Sequence, residues 1–240
     1  YRDKKIVNWD PEAKTTLSNE EVIYKEKTAK LFYLKYKLES SEEFILVATT
    51  RPETIFGDTA VAVNPNDKRY KKLVGKKLIV PLVNRVVPII GDKSVDSEFG
   101  TGCLKVTPAH SEKDFEIGIR NNLDIIDIFN DDASLNDYGM HYKSLDRFSV
   151  RKKIITELDE KGLLDRAEDY THNIALSERT SCVVEPKLST QWFVRMKKLS
   201  NPALDLVLNG DIQFYPKKYV KTYKNWLENI RDWNISRQLY

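Results

Sequence analysis

Short β-rich segments separated by turn-forming residues constrain the fold of this chain more than any other feature. Residues 31–38 alternate in polarity and residues 44–49 are continuously apolar, and both stretches are rich in β-branched and aromatic residues. Proline, glycine, asparagine and aspartate stand between such stretches and favour turns. So many short strands predict a closed or strongly curved sheet.

The strands are predicted individually as follows. Residues 21–25 and 31–38 are expected to form an antiparallel pair with one wet face, and residues 44–49 to form a central strand because both of their faces are apolar. Four further strands are predicted at residues 59–63, 77–83, 86–90 and 104–107. After the third of these strands, Pro52 suits the first turn of a short helix that the preceding threonine, Thr50, would cap.

Two amphipathic helices are expected to pack on this sheet. Ser111 can cap a helix that ends near Asn121. Its apolar face is predicted from four-residue spacing to hold Phe115, Ile119 and Leu123. The second helix is marked by Val150, Ile154 and Leu158, and Gly162 ends it. The predicted fold class is therefore mixed α+β, a curved, barrel-like sheet with packed helices.

The last third of the chain differs in texture. After about Ala167 we expect fewer alternating strands, several prolines are present, and helices are predicted at residues 203–208 and 219–230. Trp226, in the second of these helices, is expected to be buried in aromatic packing. This region is predicted to be a smaller, helical appendage.

Bulk properties narrow the class of protein. The 240 residues are 41% apolar and 31% charged with a mean hydropathy of −0.50, and we find no apolar run long enough to cross a membrane. The 39 basic residues nearly balance the 36 acidic ones, so the net charge of +3 argues only weakly for a polyanionic partner. Because the chain opens at Tyr1 without an initiator Met, we expect it to be a piece of a longer protein.

The cysteines and histidines give no sign of a metal centre. Cys103 and Cys182 are far apart and lack a C-x-x-C spacing, which fits a reducing, cytoplasmic compartment. The three histidines are scattered as well. We therefore predict neither a metal site nor a cofactor within this chain.

One chemically informative segment runs over residues 48–59. Thr49, Thr50, Arg51 and Thr54 crowd the end of an apolar strand together with two carboxylates. Threonine hydroxyls can bind a hydroxyl or an amide, and Arg51 can hold a phosphate or a carboxylate. Composition alone favours a structural interpretation, in which the threonines belong to a strand and a helix cap and Arg51 and Glu53 are solvated.

The second segment runs over residues 99–115. Lys105 lies in an otherwise apolar strand, and Thr107 has the same parity, so both side chains should point to one side. Asp114 falls in the first turn of the following helix, where the helix dipole favours a carboxylate that can face back toward Lys105. The glycines of this segment do not fit a nucleotide-binding fingerprint, and a lone His110 is more often packed than catalytic.

Together, these two segments resemble the editing domain of the valyl-tRNA synthetases. In that family a threonine-rich segment and a segment ending in a histidine and an aspartate form two walls of a hydrolytic pocket. The resemblance extends to residues 7–11, 189–193 and 232–239, and Glu53 with the residues after it is valyl-like rather than leucyl- or isoleucyl-like. It implies an entry segment with a β-hairpin at residues 1–40, an editing core at 41–166, and an appendage with the return to a catalytic core at 167–240.

The resemblance also implies roles for single residues. Asp114 would bind the α-ammonium of the misattached amino acid, and Phe99 would lie against the terminal adenosine or the side chain of the substrate. The pocket would be lined by Lys105, Thr107, Arg51, Thr49 and Thr54, with Thr50, His110 and Ser111 beside them. The family commonly has an aspartate where Ser111 stands, and a serine can replace its hydrogen bond but not its charge.

The implied activity is post-transfer editing, in which threonine is hydrolysed from tRNA(Val). Since the segments contain no Ser-His-Asp or Cys-His signature, we predict direct attack of water on the ester, with Lys105 ordering the water or stabilising negative charge. The implied partners are the tRNA(Val) acceptor end and the rest of a monomeric synthetase, whose absent core would use ATP and Mg²⁺. The alternatives are a leucyl or isoleucyl editing domain, or a non-catalytic tRNA-binding insertion.

Overall fold

Two β-sheets and four α-helices organise the chain, which a computed structural model describes over residues 1–239. The strands are β1 (Arg2–Asp10), β2 (Thr15–Leu17), β3 (Val22–Leu38), β4 (Phe44–Thr49), β5 (Ala60–Val63), β6 (Lys77–Ile79), β7 (Val86–Gly91), β8 (Cys103–Val106), β9 (Leu164–Ser177), β10 (Glu185–Val194) and β11 (Trp233–Asn234). The helices are α1 (Glu112–Arg120), α2 (Arg147–Glu160), α3 (Met196–Leu208) and α4 (Tyr219–Glu228). Short 3₁₀ segments occur at Asn19–Glu21, Pro52–Gly57, Lys71–Leu73 and Asp137–Tyr142.

The larger sheet is curled into a half-barrel. Its strands follow the order β4-β3-β6-β7-β5-β8, with β9 paired to β3. The neighbours are antiparallel except for β5 and β7. Strands β4 and β8, at the two ends of this order, lie close to each other in space. The prediction of a strongly curved sheet within a mixed α+β fold is therefore confirmed.

The main core fills the inside of this half-barrel. Leu34 and Tyr36 of β3, Val61 and Val63 of β5, and Leu78 of β6 are fully buried there. Helix α2 covers the core with the side chains that the sequence predicts, Val150, Ile154 and Leu158, and Gly162 follows its end with a φ of 68°. The outer side of β5 and β8 packs against α1 in a second, smaller cluster.

The predicted apolar face of α1 is wrong at Ile119, whereas Leu123, just beyond the helix, packs on the smaller cluster. The helix is capped by Ser111 and ends at Arg120, close to the predicted limit. Its buried side is formed by Asp114, Ile117 and Gly118, whereas Ile119 is exposed. Gly118 permits this arrangement, because a Cβ at that position would meet Pro108 at 2.9 Å.

The predicted pairing of the first strands is wrong as well. Residues 22–25 and 31–38 belong to one continuous strand, β3, which pairs with β9 from Val22 to Leu34 and with β4 from Phe32 to Lys37. The antiparallel pair within residues 1–40 is instead β1 with β2. Strand β4 stands at the end of the pairing order rather than at its centre, although Ile45 and Val47 are buried as its apolar sequence predicts.

The last third of the chain contains more β-structure than predicted. Strand β9 crosses residue 167, and β10 joins β1 in the smaller sheet, whose order is β11-β10-β1-β2. The division at 166/167 stays a prediction, and this border falls inside β9. Helices α3 and α4 are present, but Trp226 is 61% exposed, so its predicted burial is wrong. None of the helices described within residues 1–239 is long and apolar enough to cross a membrane.

Candidate functional site

The two chemically informative segments meet at one end of the half-barrel. The first leaves β4 at Thr49 and runs through the 3₁₀ segment Pro52–Gly57 to β5. The second leaves β8 and turns at residues 107–110 into α1. Strands β5 and β8 are paired, with Val61 opposite Lys105, and this pairing brings the segments side by side.

Gly57 allows the close approach of the two segments. A Cβ atom at this position would lie 2.9 Å from Cγ2 of Thr107 and 3.0 Å from the carbonyl oxygen of Ile126. Both distances are too short for an ordinary contact, so a larger residue would push the segments apart. Pro52 occupies the first turn as predicted, but the cap position is Arg51, and Thr49 Oγ1 accepts the Arg51 N–H at 3.0 Å.

Lys105 is buried at the centre of the site with its ammonium group fully hydrogen-bonded. The side chain is 7% exposed. Its Nζ donates to Thr54 Oγ1 at 2.7 Å, to Asp58 Oδ1 at 2.8 Å and to Thr107 Oγ1 at 2.5 Å. An ammonium has three protons, so these three acceptors use all of them. The shared side of Lys105 and Thr107 that strand parity predicts is confirmed.

Asp58 is the counter-charge of Lys105. It is fully buried, and its carboxylate also accepts hydrogen bonds from Thr107 Oγ1 at 2.7 Å and from Tyr36 Oη at 2.6 Å. Burial and the neighbouring Asp58 carboxylate raise the pKa of Tyr36 well above its usual value, so its hydroxyl stays a donor. The sequence alone predicts no role for Asp58. The signal that could have identified Asp58 is the lysine in an apolar strand, because a buried ammonium needs a buried carboxylate partner.

Asp114 lies on the second wall of the site. Its Oδ2 accepts the backbone N–H of Thr107 at 2.9 Å, while Ser111 Oγ accepts the backbone N–H of Asp114 at 3.3 Å. It reaches Lys105 only through Thr107 and makes no direct contact with the ammonium. Burial raises the pKa of Asp114, and the Thr107 N–H and the Lys105 charge oppose that rise.

Arg51 is held by carboxylates rather than left solvated. Its guanidinium donates to both oxygens of Glu185 at 2.6 and 2.8 Å, and to Glu53 Oε1 at 3.2 Å. Arg147 also binds Glu185, and Arg151 binds Glu53 through both carboxylate oxygens. Since Glu53 is fully buried, the solvated interpretation of Arg51 and Glu53 is wrong. Glu185 was missed because it is 134 residues from Arg51 in sequence.

His110 is buried against this ion-pair network. Its Nε2 accepts the backbone N–H of Ile128 at 3.1 Å, so the neutral ring carries its proton on Nδ1. Within residues 1–239 that Nδ1 has no hydrogen-bond partner, and Glu185 Oε1 lies 3.8 Å away. Burial and then the charges of Arg51 and Lys105 lower the pKa of His110 well below its usual range. Arg51 NH1 donates to the His110 carbonyl at 3.2 Å and thereby fixes the turn before α1.

Thr50 and Phe99 stand apart from this hydrogen-bonded centre. Thr50 is half-buried at the bend after β4. Phe99 is 46% exposed and places its ring edge-on to Tyr170, with 5.8 Å between the ring centroids. The structure thus brings Thr49, Arg51, Thr54, Lys105, Thr107, His110, Ser111 and Asp114 together, and the substrate roles given to all ten predicted residues stay predictions.

The cysteines are poor candidates for nucleophiles. Cys103 is buried inside the half-barrel, and burial raises the pKa of its thiol to about 11. Burial also raises the pKa of Cys182, whose Sγ donates to Asp10. Because the thiolate is the reactive form of cysteine, neither thiol is activated.

Comparisons with known proteins agree with the resemblance seen in the motifs. A protein named "Valine--tRNA ligase" from Christiangramia forsetii is 58% identical over 240 residues, which are 100% of this chain and 27% of that protein. Proteins of the same name from Bacteroides fragilis and Thermotoga maritima are 56% and 55% identical, again over all of this chain and over 27% and 28% of their own lengths.

A solved structure gives a more distant likeness. It is the LeuRS chain of a LeuRS-tRNA-LeuAMS ternary complex from Agrobacterium radiobacter K84, with a TM-score of 0.47 and 19% identity, over 72% of this chain and 30% of that one. The family of tRNA synthetases class I (I, L, M and V) matches residues 1–240. This chain, which spans about a quarter of the length of the relatives it matches, therefore belongs to the class I tRNA synthetases of the I, L, M and V group.

Proposed function

We propose that this segment is an editing domain that hydrolyses threonine from mischarged tRNA(Val). The observation that carries the proposal is the buried centre in which Asp58, Lys105 and Thr107 are hydrogen-bonded next to Asp114. Such a centre is costly to bury, and the neighbouring Asp114, whose pKa is raised by burial, is typical of residues at functional sites. The similarity to valine–tRNA ligases supports the choice of tRNA.

An editing site is needed because valine and threonine have nearly the same shape. An apolar pocket rejects an isostere with an added hydroxyl by only about 10², as is known for valyl enzymes. A second site that binds the threonine hydroxyl would reject valine, since valine leaves its buried polar groups unpaired.

Thr54 and Thr107 are suited to receive that hydroxyl. Thr54 Oγ1 donates to the carbonyl of Arg51, Thr107 Oγ1 donates to Asp58, and both accept from Lys105. Each hydroxyl oxygen has two lone pairs, so each retains one. We therefore assign Lys105 the role of holding both threonine hydroxyls as acceptors. Its charge also favours the negative oxygen of the transition state. The substrate hydroxyl donates to one of the two threonines.

Asp114 is assigned to the substrate ammonium. One carboxylate oxygen, Oδ2, is held by the Thr107 N–H, and the other is left for the ammonium. Water then attacks the ester carbonyl carbon, the bond to the ribose oxygen breaks, and that oxygen leaves with a proton. The neutral, buried His110 and the inactive thiols give no support to an acyl-enzyme. This step uses no cofactor, and ATP and Mg²⁺ would serve only a synthetic core elsewhere in a cytoplasmic, monomeric enzyme.

The proposal is tested with threonyl-tRNA(Val) and valyl-tRNA(Val) as substrates. Hydrolysis should favour the threonyl ester. Asp114→Asn should lower its kcat/KM by at least about tenfold, because a hydrogen bond to a charged group is worth about 1.5–3 kcal/mol. Glu116→Gln, which changes an exposed carboxylate on the same helix, is the matched control and should retain full activity. Equal hydrolysis of both esters, or full activity of Asp114→Asn, contradicts the proposal.

The pH profile gives a second signature of Asp114. The carboxylate binds an ammonium only when ionised, so kcat/KM should fall as the pH decreases through the raised pKa of Asp114, above its ordinary value of 3.8. Asp114→Asn should lose this acid limb. Isoleucyl or leucyl editing predicts instead that another misacylated tRNA is the best substrate, and a non-catalytic insertion predicts salt-sensitive tRNA binding without deacylation.

A further inference from the structure

The first half of β3 and the second half of β9 form a two-stranded ribbon, residues 22–30 with 169–177. In an antiparallel pair, directly opposed residues lie on the same face, and faces alternate along the strand. Lys25 stands opposite Ile174, Lys27 opposite His172 and Ala29 opposite Tyr170. We call the side that carries these residues the odd face of the ribbon, after the odd-numbered residues of β3.

Aromatic rings form a continuous row from the odd face toward the candidate site. The rings of Tyr170 and His172 are stacked, with 5.5 Å between centroids and an interplanar angle of 19°. Phe99 continues the row by its edge-on contact with Tyr170. Its neighbour Gly100 packs against Ala48, directly before Thr49, since a Cβ at Gly100 would lie 2.8 Å from that of Ala48.

The rings remain accessible at the surface. Tyr170 and His172 are half-buried and Phe99 is exposed. The row is therefore only partly used in packing the ribbon, and a ligand can stack on it.

The charges on the two sides of the ribbon differ. On the odd face, Lys25 and Lys27 are exposed and form no ion pair within the described part of the chain. On the opposite face, Lys30 is neutralised by Asp169 at 2.8 Å. Of the carboxylates near the row, Glu168 is bound by Arg166 and Tyr33, and Glu98 beside Phe99 is exposed. The odd face thus presents free positive charge next to aromatic rings.

We propose that the odd face binds the single-stranded 3′ end of an RNA and leads it to the candidate site. Bases stack on aromatic side chains, and lysines contact the phosphates between them, which is how sheets and ribbons bind single-stranded nucleic acid without sequence preference. The inference rests on the proposed function for the identity of the RNA as an acceptor end. It adds the path by which the RNA strand reaches the site, which the predicted contact of Phe99 with the terminal adenosine does not describe.

The test measures binding of the chain to a labelled single-stranded RNA octamer that ends in CCA. Lys27→Ala with Tyr170→Ala should weaken binding about tenfold or more, since stacking is worth about 1–3 kcal/mol per base. The matched control is Lys30→Ala with Tyr24→Ala, because Tyr24 is an exposed aromatic residue on the other face and this pair removes the same groups there. The control should bind the octamer like the original chain.

A second variant keeps the test sharp if Tyr170→Ala fails to fold. Lys25→Ala with Lys27→Ala changes only exposed side chains, and it should reduce the salt dependence by about 1.4 in the slope of log Kd against log salt, from about 0.7 per phosphate contact. Equal weakening by changes on both faces, or unchanged affinity and slope in the odd-face variants, overturns the proposal.

Hydrolysis of a small substrate separates this inference from the proposed function. The threonyl ester of adenosine is too short to reach Lys25 and Lys27, so the variant Lys25→Ala with Lys27→Ala should hydrolyse it at the original rate, while Asp114→Asn should not. Absence of ester hydrolysis with face-specific RNA binding would count against the editing function alone. Ester hydrolysis with face-independent RNA binding would count against the ribbon alone.

Discussion

At the scale of single residues, the site depends on charges that neutralise one another out of contact with water. Lys105 and Asp58 are buried as a pair, and the hydroxyls of Thr54, Thr107 and Tyr36 occupy the remaining hydrogen-bonding positions. Removing one charge leaves the other buried and uncompensated, whereas removing both leaves only polar groups. Burying either charge alone would cost free energy, and only the opposite charge beside it offsets that cost. The buried pair thereby holds the hydroxyls of Thr54 and Thr107 in place.

Changing Lys105 and Asp58 should therefore have non-additive effects on stability. Asp58→Asn should lower the free energy of unfolding by about 3–5 kcal/mol, because it leaves the Lys105 ammonium without a counter-charge. Lys105→Met should cost a similar amount, since it leaves the buried Asp58 carboxylate without a counter-charge. The free energy of unfolding lost in the double variant should be smaller than the sum of the two single losses by at least about 1 kcal/mol, because neighbours in one network are coupled.

Urea unfolding of the four proteins measures this coupling, and threonyl-ester hydrolysis should be impaired in all three variants. Additive losses of stability would show that the two charges do not depend on each other. Full hydrolysis by Asp58→Asn would show that the carboxylate is not needed to position Thr107.

What the sequence could reveal at this scale was limited by distance along the chain. Strand parity correctly placed Lys105 beside Thr107, because the two are only two positions apart. Ser111 was recognised as a helix cap from the residues that follow it. Glu185 could not be connected to Arg51 in this way, since only the folded chain brings β10 to the end of β4.

At the scale of elements, Glu185 links three parts of the fold. It is the first residue of β10, and it binds Arg51 in the segment after β4 and Arg147 at the start of α2. The smaller sheet is thus joined to the candidate site by a buried ion pair. Arg51 in turn donates to the His110 carbonyl, so the link extends to the turn that presents Asp114.

Glu185→Ala should therefore destabilise the chain by about 3–5 kcal/mol, because two arginines lose a shared buried carboxylate. Glu185→Gln should cost less, since it retains the shape and one acceptor oxygen. The exposed Glu178, directly after β9, supplies the matched control, and Glu178→Ala should change the stability by less than about 0.5 kcal/mol. Chemical denaturation provides the comparison, and equal stabilities for Glu185→Ala and Glu178→Ala would refute the link.

The errors in predicting elements share a physical cause. Residues 25–28 of β3 carry polar side chains on both faces of the ribbon, so they lack the alternation that marks a half-buried strand. The strand was accordingly divided into two shorter ones. Helix α2 was predicted well because three fully buried residues recur at four-residue spacing, whereas α1 buries a glycine and a carboxylate that periodicity does not identify.

At the scale of the whole molecule, buried side chains are unevenly distributed. The half-barrel holds the largest apolar cluster, with α2 packed on it. Helices α3 and α4 pack mainly on each other, and Leu204, Val207 and Leu227 are their buried apolar residues. A region with few buried apolar contacts opens at a lower free energy than a large core.

Native-state hydrogen exchange should therefore divide the chain into two levels of protection. Amides of α3 and α4 should exchange through local opening, at a free energy at least about 1–2 kcal/mol below that of amides in β3 and β5. Leu204→Ala should increase exchange in both helices, because its cavity weakens their contact, and should leave β3 and β5 unchanged. Ile154→Ala is the matched change in the core and should increase exchange in the half-barrel as well, since removing a buried apolar side chain costs about 2–5 kcal/mol. If Leu204→Ala lowered protection in β3 and β5 by the same amount as in α3, the chain would unfold as one cooperative unit, and the two helices would be an integral part of the half-barrel rather than an appendage to it.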